Sequence, residues 1–211
     1  MANTLFWIGG IGSSDYSRMY GSSIKSQYLN KLSVIHACKI LKALINNGAK
    51  YIMVQGLRPM GCLPSQLSRC SPSDRDKSGC SAKANAVIIA HNTLLQQKLE
   101  HFRHKYPDRI ISYVDTYGAY QTILANYKSY HFEEPFKACC GAHDSSNGYD
   151  FDVNRICGTS GSSTCQDSSK YISWDGIHFT GAMNAQLADL FLNKGYCQPS
   201  FQDILKAKKC Q

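Results

Sequence analysis

Apolar residues recur at helical spacing in several long segments of the chain. In the first they occupy positions 24, 29, 32, 35, 38, 41, 44 and 45, and Gly48 follows directly after two asparagines. This pattern predicts a helix over 24–47 that a left-handed glycine closes. A second periodic segment, 82–105, stops before Pro107, and shorter ones follow at 116–127 and in the second half of 171–195. The sequence therefore predicts four helices.

Short apolar runs separate the predicted helices. They cover Leu5–Ile8, Tyr51–Gly56 and Arg109–Asp115, and each is bounded by glycine or polar residues, as buried strands are. Alternating strands and helices indicate an α/β fold with a parallel sheet and right-handed crossovers. A chain of 211 residues is long enough for one sizeable core, so we expect a single domain over 1–211.

In such sheets, functional residues gather at the carboxyl ends of the strands. The turn over 9–15, the loop from residue 57 and Asp115 all follow predicted strands, so we expect them at one edge of the sheet. Tyr16, Arg18 and Tyr20 follow the first turn, where a surface role is favoured over substrate contact.

The net charge of +8 does not indicate a nucleic-acid partner. The 23 lysines and arginines are dispersed, and the only basic run is the "KAKK" of 206–209. No apolar run approaches the length of a membrane span. Residues 1–4 lack the pattern of a signal peptide, so we expect the chain to begin inside a fold.

The ten cysteines favour disulfides over a metal site, because no Cys-x-x-Cys pair and no zinc-type spacing occurs. We expect bridges around two polar loops, one between Cys70 and Cys80 and one within 139–165, although the spacing does not decide the pairing. Cys38 is interpreted as a buried thiol. The cysteines indicate an oxidising compartment and the N-terminus does not, so secretory and cytoplasmic locations both stay open. The cysteines stand at 38, 62, 70, 80, 139, 140, 157, 165, 197 and 210.

Candidate chemistry lies in the segment "WDGIHFT". Asp175 and His178 stand three residues apart, a spacing that lets the carboxylate orient Nδ1 of the imidazole while Nε2 is left for a substrate. By itself such a pair is more often a capping aspartate beside a surface histidine, and the other blocks of the chain give it its weight. His91, within a predicted helix, is interpreted as a buried structural residue, and His104 as a partner of its helix C-terminus.

Several blocks, in order from about residue 4 to residue 201, resemble the plant GDSL-type esterase/lipases of the SGNH hydrolase superfamily. The resemblance implies a flavodoxin-like α/β/α three-layer fold, usually secreted. It also implies ester hydrolysis or acyl transfer by a Ser-His-Asp triad, with no cofactor and no metal. The blocks are "LFWIGGIGSSDY", "GAKYIMVQGLRPMGCLP", "HNTLLQQKLEHFRHKYP", "YVDTYGAY", "EPFKACCG", "CGTSGSSTCQDSSKYISWDGIHFTGAMN" and "GYCQP".

The resemblance also implies roles for individual residues. His178 would be the general base and Asp175 its orienting carboxylate. Gly12, Ser14 and Asp15 fall on the family's Gly-x-Asn-Asp block, so they would form the oxyanion wall of the cleft, and Ser14 replaces the asparagine. A serine hydroxyl is a shorter and more mobile donor than an amide. The candidate substrate contacts are Tyr16 and Trp174.

The 211 residues contain no Gly-Asp-Ser-Leu tetrapeptide, the family's nucleophile block. We therefore expect a chain that is N-terminally truncated relative to the family and lacks its first strands. Leu5–Ile8 would then be an exposed sheet edge, open to self-association or to a partner chain.

Three functions stay open for such a chain. The first is a carboxylic ester hydrolase or acyltransferase that keeps the Asp-His half of the triad. The second is a non-hydrolytic enzyme of the isomerase or cyclase type, using His178 on a plant specialised metabolite. The third is a catalytically silent binding or accessory homologue. The expected ligand is accordingly a small-molecule ester or a plant metabolite.

Overall fold

The computed structural model describes residues 1–19 and 22–209. Its strands are β1 (Leu5–Ile8), β2 (Tyr51–Gln55), β3 (Ile110–Val114), β4 (Glu134–Ala138), β5 (Cys140–Gly141), β6 (Ser163–Thr164), β7 (Tyr171–Ser173) and β8 (Cys197–Gln198). Its α-helices are α1 (Ser13–Met19), α2 (Ser26–Asn46), α3 (Pro64–Leu67), α4 (Ala82–Lys105), α5 (Thr116–Ala125), α6 (Gly181–Asn193) and α7 (Phe201–Lys209). Four short 3₁₀ turns complete the described elements.

The periodic segments form the predicted helices. Helix α4 has the bounds that the pattern predicts, and α2 begins two residues later than predicted and ends at Asn46. Gly48 has φ 85°, the left-handed conformation that lets the chain leave α2 without a Cβ clash.

The chain divides into two compact units. The first comprises 1–58, 87–119 and 189–211, and the second comprises 59–86 and 120–188. The expectation of a single domain over 1–211 stays a prediction. No helix in the described ranges, which omit 20–21 and 210–211, combines the length and hydropathy of a membrane span.

The first unit is built on a four-stranded sheet in the order β1-β2-β3-β8. Strands β1, β2 and β3 pair in parallel, as predicted. Strand β8, which the sequence does not predict, pairs antiparallel with β3, so the otherwise parallel sheet is mixed at this edge. Strand β8 has only two residues, too few for an alternating pattern to be recognised in the sequence. The strand is held beside the end of β3 by the carbonyl of Tyr196, which accepts a hydrogen bond from Asp115 N–H (2.8 Å).

Helices cover both faces of this sheet. On one face α2 and α4 bury a cluster that includes Leu41, Ile52 and Leu95. On the other face Trp7 lies 6.3 Å from Phe191 at the end of α6, measured between ring centroids. This arrangement is the α/β three-layer architecture that the sequence indicates.

The second unit carries the disulfides of the described residues. Cys139–Cys165 and Cys140–Cys157 close the polar region where bridges are expected. The third bridge joins Cys62 to Cys80, whereas Cys70 is a free thiol. A bridge therefore holds the first polar loop at Cys80, as expected, and its second sulfur comes from Cys62, on a 3₁₀ turn after β2, and not from Cys70. Cys38 is free and only half-buried, and Cys210 lies outside the described residues.

Candidate active site

The turn that carries the candidate base follows strand β7. This strand pairs in parallel with β4, and its last residue, Ser173, is buried. The backbone N–H of Trp174 donates to the carbonyl of His178 (2.8 Å), which closes the turn, and Ser173 Oγ accepts from Gly176 N–H (3.0 Å). Gly176 has φ 87°, and a Cβ there would overlap the ring of Phe151. Both the backbone conformation at position 176 and the lack of room for a Cβ therefore favour glycine there.

Within this turn the structure brings Asp175 and His178 together. His178 Nδ1 lies 2.7 Å from Asp175 Oδ2. The other carboxylate oxygen, Oδ1, accepts from the backbone N–H groups of Ile177 (2.9 Å) and His178 (2.6 Å). An ionised carboxylate only accepts hydrogen bonds, so Nδ1 carries the proton and Nε2 keeps its lone pair.

The surroundings of Asp175 keep its carboxylate anionic. Burial raises its pKa, but the hydrogen bonds from His178 and Ile177 outweigh that effect and hold the pKa below its usual value. The side chain of Asp175 is 21% exposed and that of His178 is 71% exposed. Within residues 1–19 and 22–209, Nε2 of His178 has no hydrogen-bond partner. An imidazole that has a fixed anion beside Nδ1 and an accessible Nε2 without a partner is suited to accepting a proton.

The residues of the candidate oxyanion wall lie in the first unit. Gly12 has φ 102°, and a Cβ there would come within 2.8 Å of Ser33 Oγ, so this position requires glycine. Ser14 and Asp15 are exposed. The predicted turn over 9–15 is shorter than expected, because α1 begins at Ser13 and the N–H of Asp15 donates to the carbonyl of Gly12 (2.9 Å).

Tyr16 does not lie on the surface. It is 1% exposed, and its hydroxyl contacts Asn30 Oδ1 (2.7 Å) and His91 Nδ1 (2.9 Å). The interpretation of Tyr16 as a surface residue is therefore wrong, and its hydroxyl is already engaged inside the first unit rather than offered to a substrate. Burial raises the pKa of Tyr16 and lowers that of His91 to about 4. The predicted structural role of His91 is confirmed, and Tyr20 lies outside the described residues.

Other residues fix the turn that the sequence does not single out. Besides Ser173, Cys140 N–H donates to the carbonyl of Trp174 (2.6 Å) and Ser65 N–H donates to that of Gly176 (3.1 Å). The Trp174 side chain is half-exposed. Ser65 and Cys140 are distant in sequence and act through backbone atoms, so no local pattern could have identified them. Nowhere in the described ranges do three His, Cys, Asp or Glu side chains lie close enough to hold a metal ion.

The structure thus combines an α/β fold with an exposed histidine whose Nδ1 contacts a backbone-held aspartate. Comparison with known proteins gives the family. The model of the GDSL-like Lipase/Acylhydrolase family matches residues 7–191, and the chain belongs to this family.

Several curated plant proteins are similar to the chain over nearly its whole length. "GDSL esterase/lipase At3g48460" of Arabidopsis thaliana is 40% identical over 206 residues, which are 98% of this chain and 53% of that protein. "Acetylajmalan esterase 2" of Rauvolfia serpentina is 32% identical over 210 residues, which are 99% of this chain and 55% of that protein. The chain thus spans about half the length of these relatives.

Proposed function

We propose that this chain supplies the general base, His178, and its orienting carboxylate, Asp175, for acyl transfer from a small-molecule carboxylic ester. The supporting observation is the 2.7 Å contact between His178 Nδ1 and a carboxylate that two backbone N–H groups also hold. The membership of the GDSL-like Lipase/Acylhydrolase family supports the ester as the substrate class.

In the proposed reaction, the attacking hydroxyl gives its proton to Nε2 of His178 as its oxygen bonds to the ester carbonyl carbon. Asp175 stabilises the imidazolium that forms. His178 then returns the proton to the alcohol oxygen as the bond from that oxygen to the carbonyl carbon breaks, so the acyl group stays on the attacking oxygen and the alcohol leaves. We assign the hydroxyl to no serine of this chain, because the 211 residues contain no Gly-Asp-Ser-Leu block.

The remaining site residues have supporting roles in this proposal. The resemblance to the family supports Gly12, Ser14 and Asp15 as the proposed oxyanion-wall residues and Trp174 as a proposed substrate contact. At position 14 the hydrogen-bond donor is the rotatable hydroxyl of serine, where the family has the side-chain amide of asparagine. Loss of one such fixed donor typically costs about 10²–10³ in rate. The three disulfides among the described residues are compatible with folding in the secretory pathway, which we propose as the location.

The test uses p-nitrophenyl acetate, an activated ester that imidazole can attack directly. We expect His178→Ala to lower the rate at which the 211-residue chain releases nitrophenol. The rate that remains should be the one due to the other histidines. His104→Ala is the matched control, because His104 is also exposed and also lies beside a carboxylate. Equal losses in the two variants would contradict the proposal.

A fluorophosphonate probe addresses the nucleophile separately. We expect no covalent labelling of the chain. Labelling that disappears in Ser14→Ala would assign the nucleophile to the oxyanion wall and overturn that part of the proposal.

The edge strand β1 favours a second role, in binding a partner chain. In the described residues β1 is the last strand of its sheet, and Leu5 and Trp7 on it are 38% and 43% exposed. Such an edge can pair with another strand. We expect light scattering to show concentration-dependent association that Trp7→Lys removes. A monomer at all concentrations would rule out self-association by this edge.

A further inference from the structure

A groove with an apolar floor runs between α2 and α4 in the first unit. Its volume is about 560 Å³, which is within the usual range for small-molecule sites. Val34 and Ile35 line it from α2, and Leu94 and Phe102 line it from α4. Ile35 is 49% exposed, so the groove leaves apolar surface open to solvent. None of these residues belongs to the site proposed for ester chemistry.

The rim of the groove is basic and lacks counter-ions. Lys31, Lys39 and Lys42 line it from α2 and Lys98 lines it from α4. In the part of the chain that the structure describes, none of these four lysine side chains makes a hydrogen bond or an ion pair. No acidic residue lines the groove, and α2 contains none in its 21 residues.

The acidic residue of α4 does not neutralise this rim. Glu100 lies 2.9 Å from Arg103 Nη1 and 3.1 Å from His104 Nε2, and it does not line the groove. The lysine charges are therefore available to a ligand. They also repel one another, which an anion between them would relieve.

We propose that the groove between α2 and α4 binds the anion of a long-chain fatty acid, with the acyl tail on the apolar floor and the carboxylate among the rim lysines. This site does not depend on the function proposed for His178. The tail removes apolar surface from water, and the single negative charge matches ammonium groups that can rotate to meet it.

The dimensions favour a single acyl chain over the other anionic partners. Lys31 and Lys42 are eleven residues apart on α2, a span of about 16 Å along the helix axis. This length suits one extended tail, and a recessed floor contacts a tail better than it contacts a flat membrane. An acidic helical peptide would satisfy the same charges, and the test below separates it.

Binding can be followed at a thiol in the groove wall. Cys38 is a free, half-buried cysteine among the lining residues. Burial raises the pKa of this thiol and the nearby Lys98 lowers it, so the reactivity of Cys38 depends on both the apolar floor and the basic rim of the groove. We expect dodecanoate, below its micelle concentration, to slow maleimide labelling of Cys38, with Cys38→Ser identifying the labelled residue. Calorimetry gives the dissociation constant.

Matched ligands separate the tail from the charge. Affinity should rise with chain length from octanoate to dodecanoate by up to about fourfold per methylene. Dodecyltrimethylammonium has the same tail with a cationic head, and we expect it to bind far more weakly. Equal binding of the two amphiphiles would overturn the proposal, because the lysines would then play no part.

Matched variants locate the site. Lys39→Gln/Lys98→Gln should weaken dodecanoate binding about threefold to tenfold. Lys77→Gln/Lys194→Gln removes the same charge from exposed lysines outside the groove and should leave binding unchanged. Ile35→Gln should weaken binding without altering the charge. Equal losses in both lysine variants would overturn the proposal in favour of general electrostatic attraction.

Two further outcomes would also overturn it. One is binding to vesicles of anionic phospholipid with no binding of monomeric dodecanoate, which would indicate a membrane surface. The other is binding of an acidic amphipathic peptide with no protection of Cys38 by dodecanoate, which would indicate a protein partner.

Discussion

Two of the exposed histidines, His178 and His104, each lie beside a carboxylate, and the two pairs differ in what holds the acid. His178 and His104 are 71% and 79% exposed, and their ring nitrogens lie 2.7 Å and 3.1 Å from Asp175 and Glu100. Asp175 is 21% exposed and accepts two backbone hydrogen bonds. Glu100 is 56% exposed on α4 and is shared with Arg103.

The two pairs therefore differ in how the carboxylate is fixed, although both place it close to an imidazole. Asp175 is fixed before it meets the imidazole, so holding His178 costs little further conformational entropy. Glu100 must order a longer, solvated side chain for each contact, and such helix-surface pairs contribute little. Asp175 also contacts Nδ1 and leaves Nε2 free, whereas Glu100 occupies Nε2 of His104.

The largest expected effect follows from exchanging the acid of the first pair. Asp175→Asn keeps the shape of the side chain but lets an amide donate to Nδ1, which favours the tautomer whose Nε2 carries the proton. We expect the part of nitrophenyl acetate hydrolysis that depends on His178 to fall about 10²-fold or more. Initial rates, corrected by those of His178→Ala, measure the effect.

The matched exchange in the second pair is Glu100→Gln. It removes one carboxylate beside an exposed histidine and should leave hydrolysis unchanged. A rate loss in Glu100→Gln equal to that in Asp175→Asn would mean that the two pairs do not differ in function.

The next effect concerns the turn that fixes Asp175. Gly176→Ala introduces a Cβ at φ 87° that overlaps Phe151, and we expect it to lower the free energy of unfolding by about 2 kcal/mol or more. Gly148→Ala is the control, since Gly148 has φ 75° but open space around its Cα. Urea unfolding measures both.

Gly176→Ala should also reduce the hydrolysis that depends on His178, because the turn holds both members of the pair. Equal unfolding losses in the two glycine variants would show that backbone conformation alone, and not the Phe151 contact, makes the turn require glycine.

Local patterns explain which features the sequence predicts. The bounds of α4 and the approach of Asp175 to His178 depend on residues close in the chain, so periodicity and a three-residue spacing find them. The sequence does not predict strand β4, because "EPFKA" is polar, contains a proline and pairs with β7, which is distant in the chain. The burial of Tyr16 depends on partners in α2 and α4, and no property of its own segment indicates them.

A smaller expected effect is the pH dependence of the stability that Asp175 contributes. The pKa of Asp175 is lower in the folded chain than in the unfolded one, so its ionisation stabilises the fold above about pH 4, the usual value for an aspartate. That contribution disappears as the pH falls through the lower, folded pKa. We expect Asp175→Asn to cost about 1 kcal/mol of unfolding free energy at pH 6, and the difference from the unmodified chain to shrink below pH 4.

His178→Ala refines this test. It removes the imidazole but keeps the backbone N–H groups of residues 177 and 178, so we expect it to retain part of the acid-dependent stability. Complete loss in this variant would mean that the side chain of His178, and not the turn, holds the carboxylate.

The smallest expected effect is the coupling within the exposed pair. A double-mutant cycle with His104→Ala and Glu100→Gln should give a coupling free energy of about 0.3–0.5 kcal/mol in urea unfolding. High salt should abolish it, because the Debye length is then only about 3 Å at 1 M.

The corresponding cycle with His178→Ala and Asp175→Asn should give a larger coupling that persists in salt, since Asp175 is half-buried and hydrogen-bonded. Equal couplings with equal salt dependence would contradict the view that backbone hydrogen bonds to the carboxylate distinguish the pairs. If the couplings differ as expected, the helix pair serves as an internal reference for the cost of ordering two solvated side chains. The excess coupling of the turn pair then measures how much the backbone-held carboxylate adds to the contact with His178.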